Sequence, residues 1–428
     1  MKVLVVGKGG REHALAWKLA RSPRAEKVYC APGNAGTHAD VTNVPIKVNE
    51  FDKLIEFARS ENVGLAVIGP EDPLADGLAD AFAEAKIKVF GPSKDAAQLE
   101  ASKVFAKQRM RDADVPTSEF QVFDRPDHAR VYVESRDYPV VVKADGLAAG
   151  KGVFVCDDAK EALLAIDRIM VFEEFGRPAG RQIVIEKRLE GEELSLFAFV
   201  AGRSILLTPP TQDHKPIFDG DKGPNTGGMG AYCPAPKGTS ELLARAEEEV
   251  FVPMVHTMKR RRSPFKGLLY GGLMLTNQGP RVLEFNCRFG DPETQPLLMR
   301  LKSDLLDLLE VVADERLGEL DPEAVEWDDR PTVCVVLASK GYPGKVDDGK
   351  VIHGLDEVAE MPDVKVFHAG TKLDGSGRVV TSGGRVLGVT ALGDDLAMAK
   401  ARAYEAVGKI RFSGMQFRTD IADKALGS

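Results

Sequence analysis

MKVLVVGKGGREHALAWKLA (residues 1–20) opens the chain and indicates the fold class of its N-terminal third. The apolar run at residues 3–6 predicts a buried strand, GKGG predicts a turn, and the apolar-periodic residues that follow predict a helix through Leu19. The same alternation continues, with strands expected at 28–30, 65–68 and 89–90 and helices near 51–60 and 74–85. Strands that alternate with helices in this way are typical of a doubly wound parallel sheet.

The predicted strands run directly into turns rich in glycine or proline. These turns are GKGG (7–10), APGNAG (31–36), GPEDPLADG (69–77) and GPS (91–93). Ligands of open parallel sheets bind at the carboxyl ends of the strands, and the N–H groups of GKGGRE, with the charge of Arg11, favour a phosphate there. Simple loop geometry would also explain the glycines. A dinucleotide fingerprint is incomplete, because Glu12 stands where the third glycine belongs.

A second informative stretch, VLEFNCRFGDPETQ (282–295), predicts a metal site. Glu284 and Asn286 are two residues apart on a short apolar strand, so their side chains share a face. A carboxylate and an amide oxygen suit Mg²⁺, which shares its coordination sphere with waters and substrate phosphates. Arg288 and Asp291 follow in a tight turn and add one fixed cation and one anion. The alternative is a strand that simply ends in a polar turn.

The middle of the chain predicts a loop that covers a triphosphate. A strand at 140–143 ends in Lys143 and is followed by ADGLAAGKGV (144–153), rich in small residues, and by a strand at 152–156. The glycine spacing differs from that of a Walker A loop, but such a loop can close over phosphates and exclude water. A flexible hairpin without a ligand is the alternative. After a further strand at 182–186, Glu186 and Glu193 could flank a nucleoside, although single carboxylates are more often solvated.

The segment TQDHKPIFDGDKGPNTGGMGAY (211–232) has almost no apolar periodicity, so we expect a long polar loop. Such a loop inside a compact domain is usually functional or disordered. His214 within it could be a general base, and a hydrogen-bonded structural histidine is equally consistent with the sequence. From residues 331–338 onward a separate block of strands and glycine turns ends in a helix at 395–409, which predicts a third, smaller domain.

Length and composition exclude several classes of protein. A chain of 428 residues is long enough for about three domains, and a net charge of −8 argues against a nucleic-acid partner. The basic run KRRR (259–262) follows a helical stretch at 242–258, where cations suit the C-terminal end of a helix. The five cysteines contain no CxxC pair, which argues against zinc or disulfides and favours the cytosol. No segment resembles a signal peptide or approaches the length of a membrane span, so no membrane partner is expected.

The motifs together resemble the glycinamide ribonucleotide synthetase family of the ATP-grasp superfamily. The resemblance covers about three quarters of the chain and rests on GKGGREHA (7–14), PGNAGT (32–37), GPEDPLADG (69–77), VKADGLAAGKGV (142–153), QDHK (212–215), GPNTGGMGAY (223–232) and LEFNCRFGDPETQ (283–295). It implies an α/β protein with a doubly wound N-terminal (pre-ATP-grasp) domain at 1–102. A central ATP-grasp domain at 103–327 would carry a mobile lid subdomain at about 119–190, and a small C-terminal α+β domain would span 328–428.

The resemblance also implies an activity: the ligation of glycine to 5-phosphoribosylamine with ATP, through a glycyl phosphate, in purine biosynthesis. The metal, Mg²⁺ or Mn²⁺, would be held by Glu284 and Asn286. The residues implied to bind ATP are Lys103, Lys143, Gly150, Lys151, Gly152, Glu186 and Glu193. Asp213 would bind the glycine ammonium group, and Arg288 and Asp291 would orient the glycine carboxylate or the transferred phosphoryl group. The residues implied to face phosphoribosylamine are Gly9, Gly10, Arg11, Glu12, Asn225, Thr226, Gly227 and Gly228.

Other interpretations predict different behaviour. A related ATP-grasp ligase would act on another acid, although QDHK and GPNTGGMG resemble the glycine ligases specifically. An NAD-dependent oxidoreductase would rest only on GKGG, and a regulatory nucleotide-binding protein would bind ATP without consuming it. The sequence departs from the family pattern at Lys187 and Pro216. Neither residue is one of the proposed ligands. The expected assembly is a monomer or a weak homodimer.

Overall fold

The computed structural model describes residues 1–147 and 152–427. Its strands, in chain order, are β1 (Lys2–Gly7), β2 (Lys27–Pro32), β3 (Thr42–Asn43), β4 (Val63–Ile68), β5 (Val89–Phe90), β6 (Phe120–Phe123), β7 (Val140–Ala144), β8 (Val153–Cys156), β9 (Ile183–Lys187), β10 (Glu192–Ala201), β11 (Ser204–Leu207), β12 (Gln212–Asp213), β13 (Pro216–Phe218), β14 (Lys222–Asn225), β15 (Gly230–Cys233), β16 (Lys266–Thr276), β17 (Gly279–Asn286), β18 (Thr332–Ser339), β19 (Val364–His368), β20 (Thr371–Leu373), β21 (Val379–Thr381), β22 (Arg385–Leu392) and β23 (Met415–Gln416).

The α-helices, in chain order, are α1 (Gly10–Leu19), α2 (Ala35–Asp40), α3 (Phe51–Ser60), α4 (Glu71–Asp76), α5 (Leu78–Glu84), α6 (Lys94–Ala101), α7 (Lys103–Asp112), α8 (Pro126–Glu134), α9 (Ala159–Ile166), α10 (Arg177–Gly180), α11 (Ser240–Ala246), α12 (Val252–Arg260), α13 (Thr294–Arg300), α14 (Leu305–Ala313), α15 (Leu355–Ala359), α16 (Leu396–Lys409) and α17 (Asp423–Leu426). Two π-helical turns, Asp167–Val171 and Glu247–Phe251, continue α9 and lead into α12, and two 3₁₀ turns lie at Leu317–Glu319 and Pro322–Ala324.

The N-terminal sheet is parallel and doubly wound, as its sequence predicts. Its strand order is β3-β2-β1-β4-β5, so the chain leaves β1 in one direction and returns to the other side at β4. The turns after these two central strands therefore meet at the switch point, where ligands of such sheets bind. The helix expected near 74–85 is instead two helices, because Gly77 adopts φ +97° and ends α4 before α5 begins.

Two four-stranded antiparallel sheets form the middle of the molecule. One has the order β6-β9-β7-β8 and is covered by α8 and α9, whose buried faces include Ala129, Ala162 and Ile166. The other has the order β11-β10-β16-β17 and packs on α12 through Met254 and Met258. The strands that the sequence predicted at 140–143, 152–156 and 182–186 are present as β7, β8 and β9.

The last sheet joins segments that are far apart in the chain. Its order is β12-β15-β18-β22-β19, with β23 paired to β18, and all its pairs are antiparallel. The expectation of a long polar loop at 211–232 is wrong, because β12 to β15 lie within it. These short strands need no apolar periodicity of their own, since β15 takes its backbone hydrogen bonds from β18, about a hundred residues later. The domain limits stated above remain a prediction.

An aromatic cluster holds the N-terminal sheet against the rest of the molecule. The ring of Phe90 on β5 lies 5.9 Å from that of Phe289 and 6.2 Å from that of Phe199 on β10, and all three side chains are buried. Such edge-on and tilted contacts add to the free energy gained by burial. Within residues 1–147 and 152–427, none of the helices combines the length and the apolar character that crossing a membrane requires.

Candidate functional site

A cavity of about 450 Å³ opens where the three regions of the molecule meet. Arg11 and Glu71 enter it from the switch point of the N-terminal sheet, and Arg385 enters it from β22 of the last sheet. The residues predicted for the site that line this cavity are Arg11, Lys103, Lys143, Glu186, Asp213, Asn225, Thr226, Gly227, Glu284, Asn286, Arg288 and Asp291. The fold therefore collects residues from distant parts of the sequence around one space.

Glu284 and Asn286 lie two residues apart on β17 and both reach the cavity. Burial opposes ionisation of Glu284, but the charges of Lys215, Lys143 and Lys103 hold its pKa below the usual value. The residue is therefore an anion at neutral pH. The described residues contain no cluster of three or more His, Cys, Asp or Glu side chains suited to a metal. One carboxylate and one amide oxygen fit Mg²⁺, which keeps several waters and binds substrate phosphates.

Lysine side chains from two elements face the same carboxylate. α7 begins after Ser102, whose hydroxyl accepts the N–H of Phe105 at 3.0 Å, and this start places Lys103 in the first turn. The Lys103 ammonium donates to the carbonyl of Gly146 at 3.0 Å, and Lys143, near the end of β7, donates to that of Leu283 at 3.1 Å. Burial lowers the pKa of Lys103. Both lysines line the same cavity as Glu284, so a phosphate chain bound beside Glu284 would lie close to their ammonium groups.

Glu186, predicted to flank a nucleoside, lines the cavity and is paired with lysines. Its carboxylate is buried between two lysines, 2.8 Å from Lys143 Nζ and 3.0 Å from Lys107 Nζ. Burial alone would raise the pKa of Glu186, and the two lysines lower it instead. Burial also lowers the pKa of Lys107, to about 8, even though Glu186 opposes the shift. Lys107 was not predicted, although its spacing of four residues from Lys103 on one helix was an available signal.

A second cavity, of about 520 Å³, adjoins the first. Its walls include the apolar side chains Val141, Val155, Leu189, Met274 and Leu283. Glu193 lines this cavity and not the first, and its carboxylate forms an ion pair with Lys215. The segment 187–191, between β9 and β10, forms one side of the cavity. The arrangement is an apolar slot with a carboxylate at its rim.

Asp213 and Lys215 lie side by side, and His214 between them points elsewhere. Asp213 is 9 % exposed, and burial raises its pKa to about 7 although the Lys215 ammonium lies 3.9 Å away. The His214 ring accepts the backbone N–H of Ala422 at Nε2, 3.2 Å away, and burial lowers its pKa to about 4. His214 is therefore a neutral, buried side chain that supports the backbone, which favours the structural interpretation over a general base.

The Arg288 side chain lines the cavity and is paired with two carboxylates. Its guanidinium is 2.7 Å from Glu100 Oε1 and 3.3 Å from Glu71 Oε2, and it donates to Asn286 Oδ1 at 3.4 Å. Burial raises the pKa of Glu100 to about 6, although the charge of Arg288 opposes this. These contacts fix the orientation of Arg288. Glu71 and Glu100 were not predicted, and only the position of Glu71 in a turn after β4 pointed to the site.

The Asp291 carboxylate contacts groups from three separate elements, α1, α13 and β22. Its carboxylate accepts the side-chain amide of Gln295 at 3.0 Å and the backbone N–H of Arg11 at 3.4 Å, and lies 3.5 Å from Arg385. Burial opposes ionisation, but Arg385 and Arg11 hold the pKa of Asp291 below its usual value. Asp291 thus ties the first helix to the turn that follows β17.

The glycine turn at 7–10 is largely satisfied by the protein itself. The Glu12 carboxylate accepts the N–H of Gly9 and is 2 % exposed, and a Cβ at Gly7 would lie 2.3 Å from Glu12 Cγ. The N–H groups of Gly9 and Arg11 are therefore bonded to carboxylates. Arg11 lines the first cavity, whereas Gly9, Gly10 and Glu12 are not among the residues that line the two cavities described above.

The turn at 225–228 is fixed by the last sheet. The N–H of Gly227 donates to the Tyr342 hydroxyl at 2.9 Å, and its carbonyl accepts from Arg385 at 2.5 Å. Gly228 has φ +110° and lies so close to Pro292 that a Cβ would be 2.5 Å from Cδ of the proline. No local pattern pointed to Tyr342 or Arg385, because both reach the site only through the tertiary fold.

The predicted lid loop is described in part. Gly150 and Lys151 lie outside the described residues. Leu147 and Val153, on either side of them, line the first cavity, and the carbonyl of Gly152 accepts the N–H of Ala144 at 2.8 Å. The loop therefore begins and ends beside the lysines and Glu284.

Comparison with known families agrees with this geometry. Models of the phosphoribosylglycinamide synthetase N domain, ATP-grasp (A) domain and C domain match residues 1–100, 101–294 and 332–424. The fold and site thus define an ATP-grasp protein. The chain belongs to the phosphoribosylglycinamide synthetase family.

Relatives match the chain over its whole length. Phosphoribosylamine–glycine ligase of Rhodopirellula baltica is 55 % identical, with 99 % of this chain and 98 % of that protein covered. The ligase of the same name from Neisseria meningitidis serogroup A is 51 % identical, with both chains fully covered. A crystal structure of phosphoribosylamine–glycine ligase from Thermotoga maritima has a TM-score of 0.82 and 34 % identity, covering 99 % of this chain and 100 % of that one.

More distant solved structures share the fold alone. Biotin carboxylase from Campylobacter jejuni has a TM-score of 0.74 at 15 % identity, over 97 % of this chain and 92 % of that one. The similarity extends across all three regions of the molecule.

Proposed function

We propose that this chain ligates glycine to 5-phosphoribosylamine at the expense of ATP, giving glycinamide ribonucleotide, ADP and phosphate. The observation that carries the proposal is the Glu284–Asn286 pair on β17, which faces Lys103, Lys143 and Lys215 inside one cavity. Phosphoryl transfer needs cations around spreading negative charge and fixed positions for the reactants, and it needs little covalent chemistry from the protein. The family to which the chain belongs supports the choice of substrates.

The reaction balances in two steps. A glycine carboxylate oxygen attacks the γ-phosphorus of ATP, the bond to the β-phosphate oxygen breaks, and ADP leaves with its electron pair. The amine nitrogen of phosphoribosylamine then attacks the acyl carbon, phosphate leaves, and the nitrogen loses a proton to form the amide. The side chains therefore have to bind, orient and exclude water.

For the nucleotide we propose the second cavity as the base pocket. Its apolar walls would take a flat ring, and Glu193 at its rim would accept the ribose hydroxyls. Lys103 and Lys143 would contact the phosphates, and residues 145–152 would close over them. Because its carboxylate already binds two lysines, Glu186 would act by holding Lys143 in place and not by touching the nucleoside directly.

Glu284 and Asn286 would hold the metal ion. When bound, Mg²⁺ would neutralise charge on the phosphates. Mn²⁺ accepts the same oxygen ligands, so we propose that it can replace Mg²⁺.

For glycine we propose Asp213 as the partner of the ammonium group and Arg288 as the partner of the carboxylate. Both side chains line the same cavity, and both are held in position by buried charged neighbours. Asp291 would act indirectly, since it fixes Arg11 and Gln295. The cavity thus offers one anion and one cation for a small zwitterion.

For the sugar phosphate we propose Arg11 and the turn formed by Asn225, Thr226 and Gly227. Gly9, Gly10 and Glu12 would support Arg11 from behind, because the N–H of Gly9 is bonded to the Glu12 carboxylate. Gly228 would help to fix the position of this turn, because it lies in close contact with Pro292. We also keep as proposals a cytosolic location, which five unpaired buried cysteines favour, and a monomer or weak homodimer.

The test is ADP release from Mg²⁺-ATP, with glycine and freshly generated phosphoribosylamine omitted in turn. We expect ADP only when both are present, together with glycinamide ribonucleotide identified by mass. ADP that forms without glycine would contradict the proposed substrate and favour another acid. An absence of ADP with every acid would favour a regulatory nucleotide-binding protein.

A further inference from the structure

The segment 418–424, here called the tail, is bonded to the back of the segment 213–227, here called the substrate loop. Arg418 is completely buried. Its guanidinium donates to both oxygens of Asp420 at 2.8 and 2.7 Å, to Asp221 Oδ1 at 2.9 Å and to the carbonyl of Pro216 at 3.1 Å. One side chain of the tail thus holds the first strand of the β13–β14 hairpin and the turn that leads into its second strand.

Other residues of the tail also form hydrogen bonds and an ion pair with the substrate loop. The N–H of Thr419 donates to Asp219 Oδ1 at 2.8 Å, and Asp420 Oδ2 accepts the N–H of Gly220 at 2.8 Å. The N–H of Ala422 donates to the His214 ring, as described above. Lys424 forms an ion pair with Asp221. These bonds join the tail to the loop from its first residues to its tip.

The front of the same loop faces the cavity. Asp213, Lys215, Asn225 and Thr226 line it, and the backbone N–H and hydroxyl of Thr226 donate to the carbonyl of Lys215 at 2.9 and 2.7 Å. The two strands of the hairpin therefore end at the side chains proposed to meet the substrates. A shift of the hairpin would move Lys215 and the 225–227 turn together.

Apart from the tail, one buried apolar side chain, that of Ile217, helps to hold the hairpin. β13 and β14 form an isolated two-stranded sheet, residues 222–225 are exposed, and Phe218 is 58 % exposed. An isolated two-stranded hairpin is at best marginally stable in water. The buried and fully paired Arg418 is therefore the main polar anchor of this part of the loop.

We propose that Arg418 is a positioning residue for substrate binding, which acts by holding the substrate loop against the tail. The inference rests on the proposed function only for the identity of the substrates, since the contacts between tail and loop do not depend on it. Arg418 itself touches no substrate. Its replacement is expected to weaken binding of glycine and phosphoribosylamine more than binding of ATP, whose proposed pocket lies largely on other elements.

The experiment compares Arg418→Met and Arg418→Lys with the wild-type chain. We expect Arg418→Met to raise the KM for glycine and phosphoribosylamine by about 10- to 100-fold, because small displacements of positioning groups have effects of that size. The KM for ATP should change by less than about threefold on the same reasoning. Arg418→Lys should be intermediate, since a lysine keeps the charge but its three donors cannot reproduce all four bonds of the planar guanidinium.

Arg300→Met is the matched control. Arg300 is also buried, but it donates to the carbonyls of Asp328 and Arg330, each at 3.0 Å, and touches no residue of the substrate loop. We expect this variant to lose thermal stability with an unchanged KM for glycine. An equal rise of KM in both variants would overturn the positioning role, since it would reflect a general loss of structure.

Amide hydrogen exchange provides a measurement that does not depend on turnover. We expect Arg418→Met to speed exchange within 214–226 and to leave β16 and β17 unchanged. Unchanged exchange in the loop would overturn the inference even if the enzyme is active. Should Arg418→Met fail to fold, Asp219→Ala removes an exposed bond to Thr419 and should produce the same changes at smaller size. If the wild-type chain shows no glycine-dependent turnover, the proposed function fails while the exchange result still decides the tail contact.

Discussion

Four cations lie around the half-buried Glu284 carboxylate: Lys215, Lys143, Lys103 and Arg288. Burial works against ionisation of Glu284, and the four charges together outweigh it, so that the pKa of the residue is lowered. A carboxylate in such surroundings is ready to bind a divalent cation without first losing a proton. The same cations have space beside them for phosphate oxygens, which makes Glu284 the residue on which the proposed reaction depends most directly.

Glu284→Gln is expected to lower kcat by about 100- to 1,000-fold, the range found when one electrostatic contact to a transition state is removed. The protein should stay folded, because glutamine has nearly the same shape. Steady-state kinetics at saturating and limiting Mg²⁺ measure the effect. Glu192→Gln, an exposed carboxylate at the start of β10, is the control and should be neutral. Near-normal turnover of Glu284→Gln at limiting Mg²⁺ would exclude the proposed metal ligand.

The binding of glycine is expected to depend on pH through Asp213. Burial raises the pKa of this carboxyl to about 7, so it is mostly neutral below that value and ionised above it. An ammonium group binds the ionised form, so the KM for glycine should fall as the pH rises from about 6 to about 8. In Asp213→Asn the KM should be higher and nearly independent of pH over this range. A wild-type KM that stays constant across the same range would refute the assignment.

At the scale of elements, the loop between β7 and β8 is the part of the proposed nucleotide site for which the sequence makes the clearest prediction. Its flanking residues Leu147 and Val153 line the cavity, and its glycine content led us to expect a lid. A lid that closes over bound nucleotide excludes water from the reacting phosphate. Closure would also bring the loop over Lys103 and Lys143.

Mg²⁺-ATP is expected to protect this loop from proteolysis. Trypsin can cleave after Lys151, and a ligand at about ten times its Kd should slow that cleavage about tenfold if the loop closes. Cleavage after Lys372 or Arg378, both exposed in or beside the β20–β21 hairpin, should not change and serves as the internal control. Equal cleavage after Lys151 with and without Mg²⁺-ATP would argue against a lid.

Local patterns predicted some elements well and others poorly, for a physical reason. β1, β2, β4, β5 and α3 follow the expected positions, because burial inside one sheet imposes a periodicity that is visible in the sequence. β12 to β15 were missed, since β15 is ordered by β18, which lies far along the chain, and the other three are very short strands that pair within the segment. Sequence spacing alone cannot reveal a partner of that kind.

The same distinction holds for the candidate site: pairs of residues within one element could be predicted, and contacts between distant elements could not. Glu284 and Asn286 are a local pair on one strand, so their common face could be predicted. Arg385 lies on β22 and Tyr342 in the turn after β18, and their contacts with Gly227 arise only through the tertiary fold. The ion pair between Glu186 and Lys107 could not be predicted, because the two residues lie on different elements, β9 and α7.

At the scale of the whole molecule, the cavity exists only because three regions are held together. Phe289 is central to this arrangement, since it follows Arg288 directly and its ring packs against Phe90 of the N-terminal sheet and Phe199 of β10. The same residue's carbonyl accepts from Arg11 at 3.1 Å. Packing between regions and the position of the turn that carries Arg288 are therefore coupled through one aromatic side chain.

Phe289→Ala is expected to lower the free energy of unfolding by about 3–5 kcal/mol, the usual range for removing a buried phenylalanine. It should also lower kcat, because Arg288 and Arg11 lose their support. Urea denaturation followed by tryptophan fluorescence measures stability, and Trp17 belongs to the same apolar cluster. Phe172→Ala is the control: that ring is 69 % exposed, so the change should stay within about 0.5 kcal/mol. An unchanged denaturation midpoint for Phe289→Ala would contradict the coupling.

The contact between Arg418 and Pro216 has a consequence for how the protein is made. The two residues are 202 positions apart, so a ribosome adding about 5–20 residues per second needs about 10–40 seconds to pass from one to the other. Throughout that interval the nascent β13–β14 hairpin lacks its buried partner, while β7, β9 and the lysines near them are already synthesised. We therefore expect a growing chain to complete the proposed nucleotide pocket before Arg418 can fix the loop that is proposed to bind glycine.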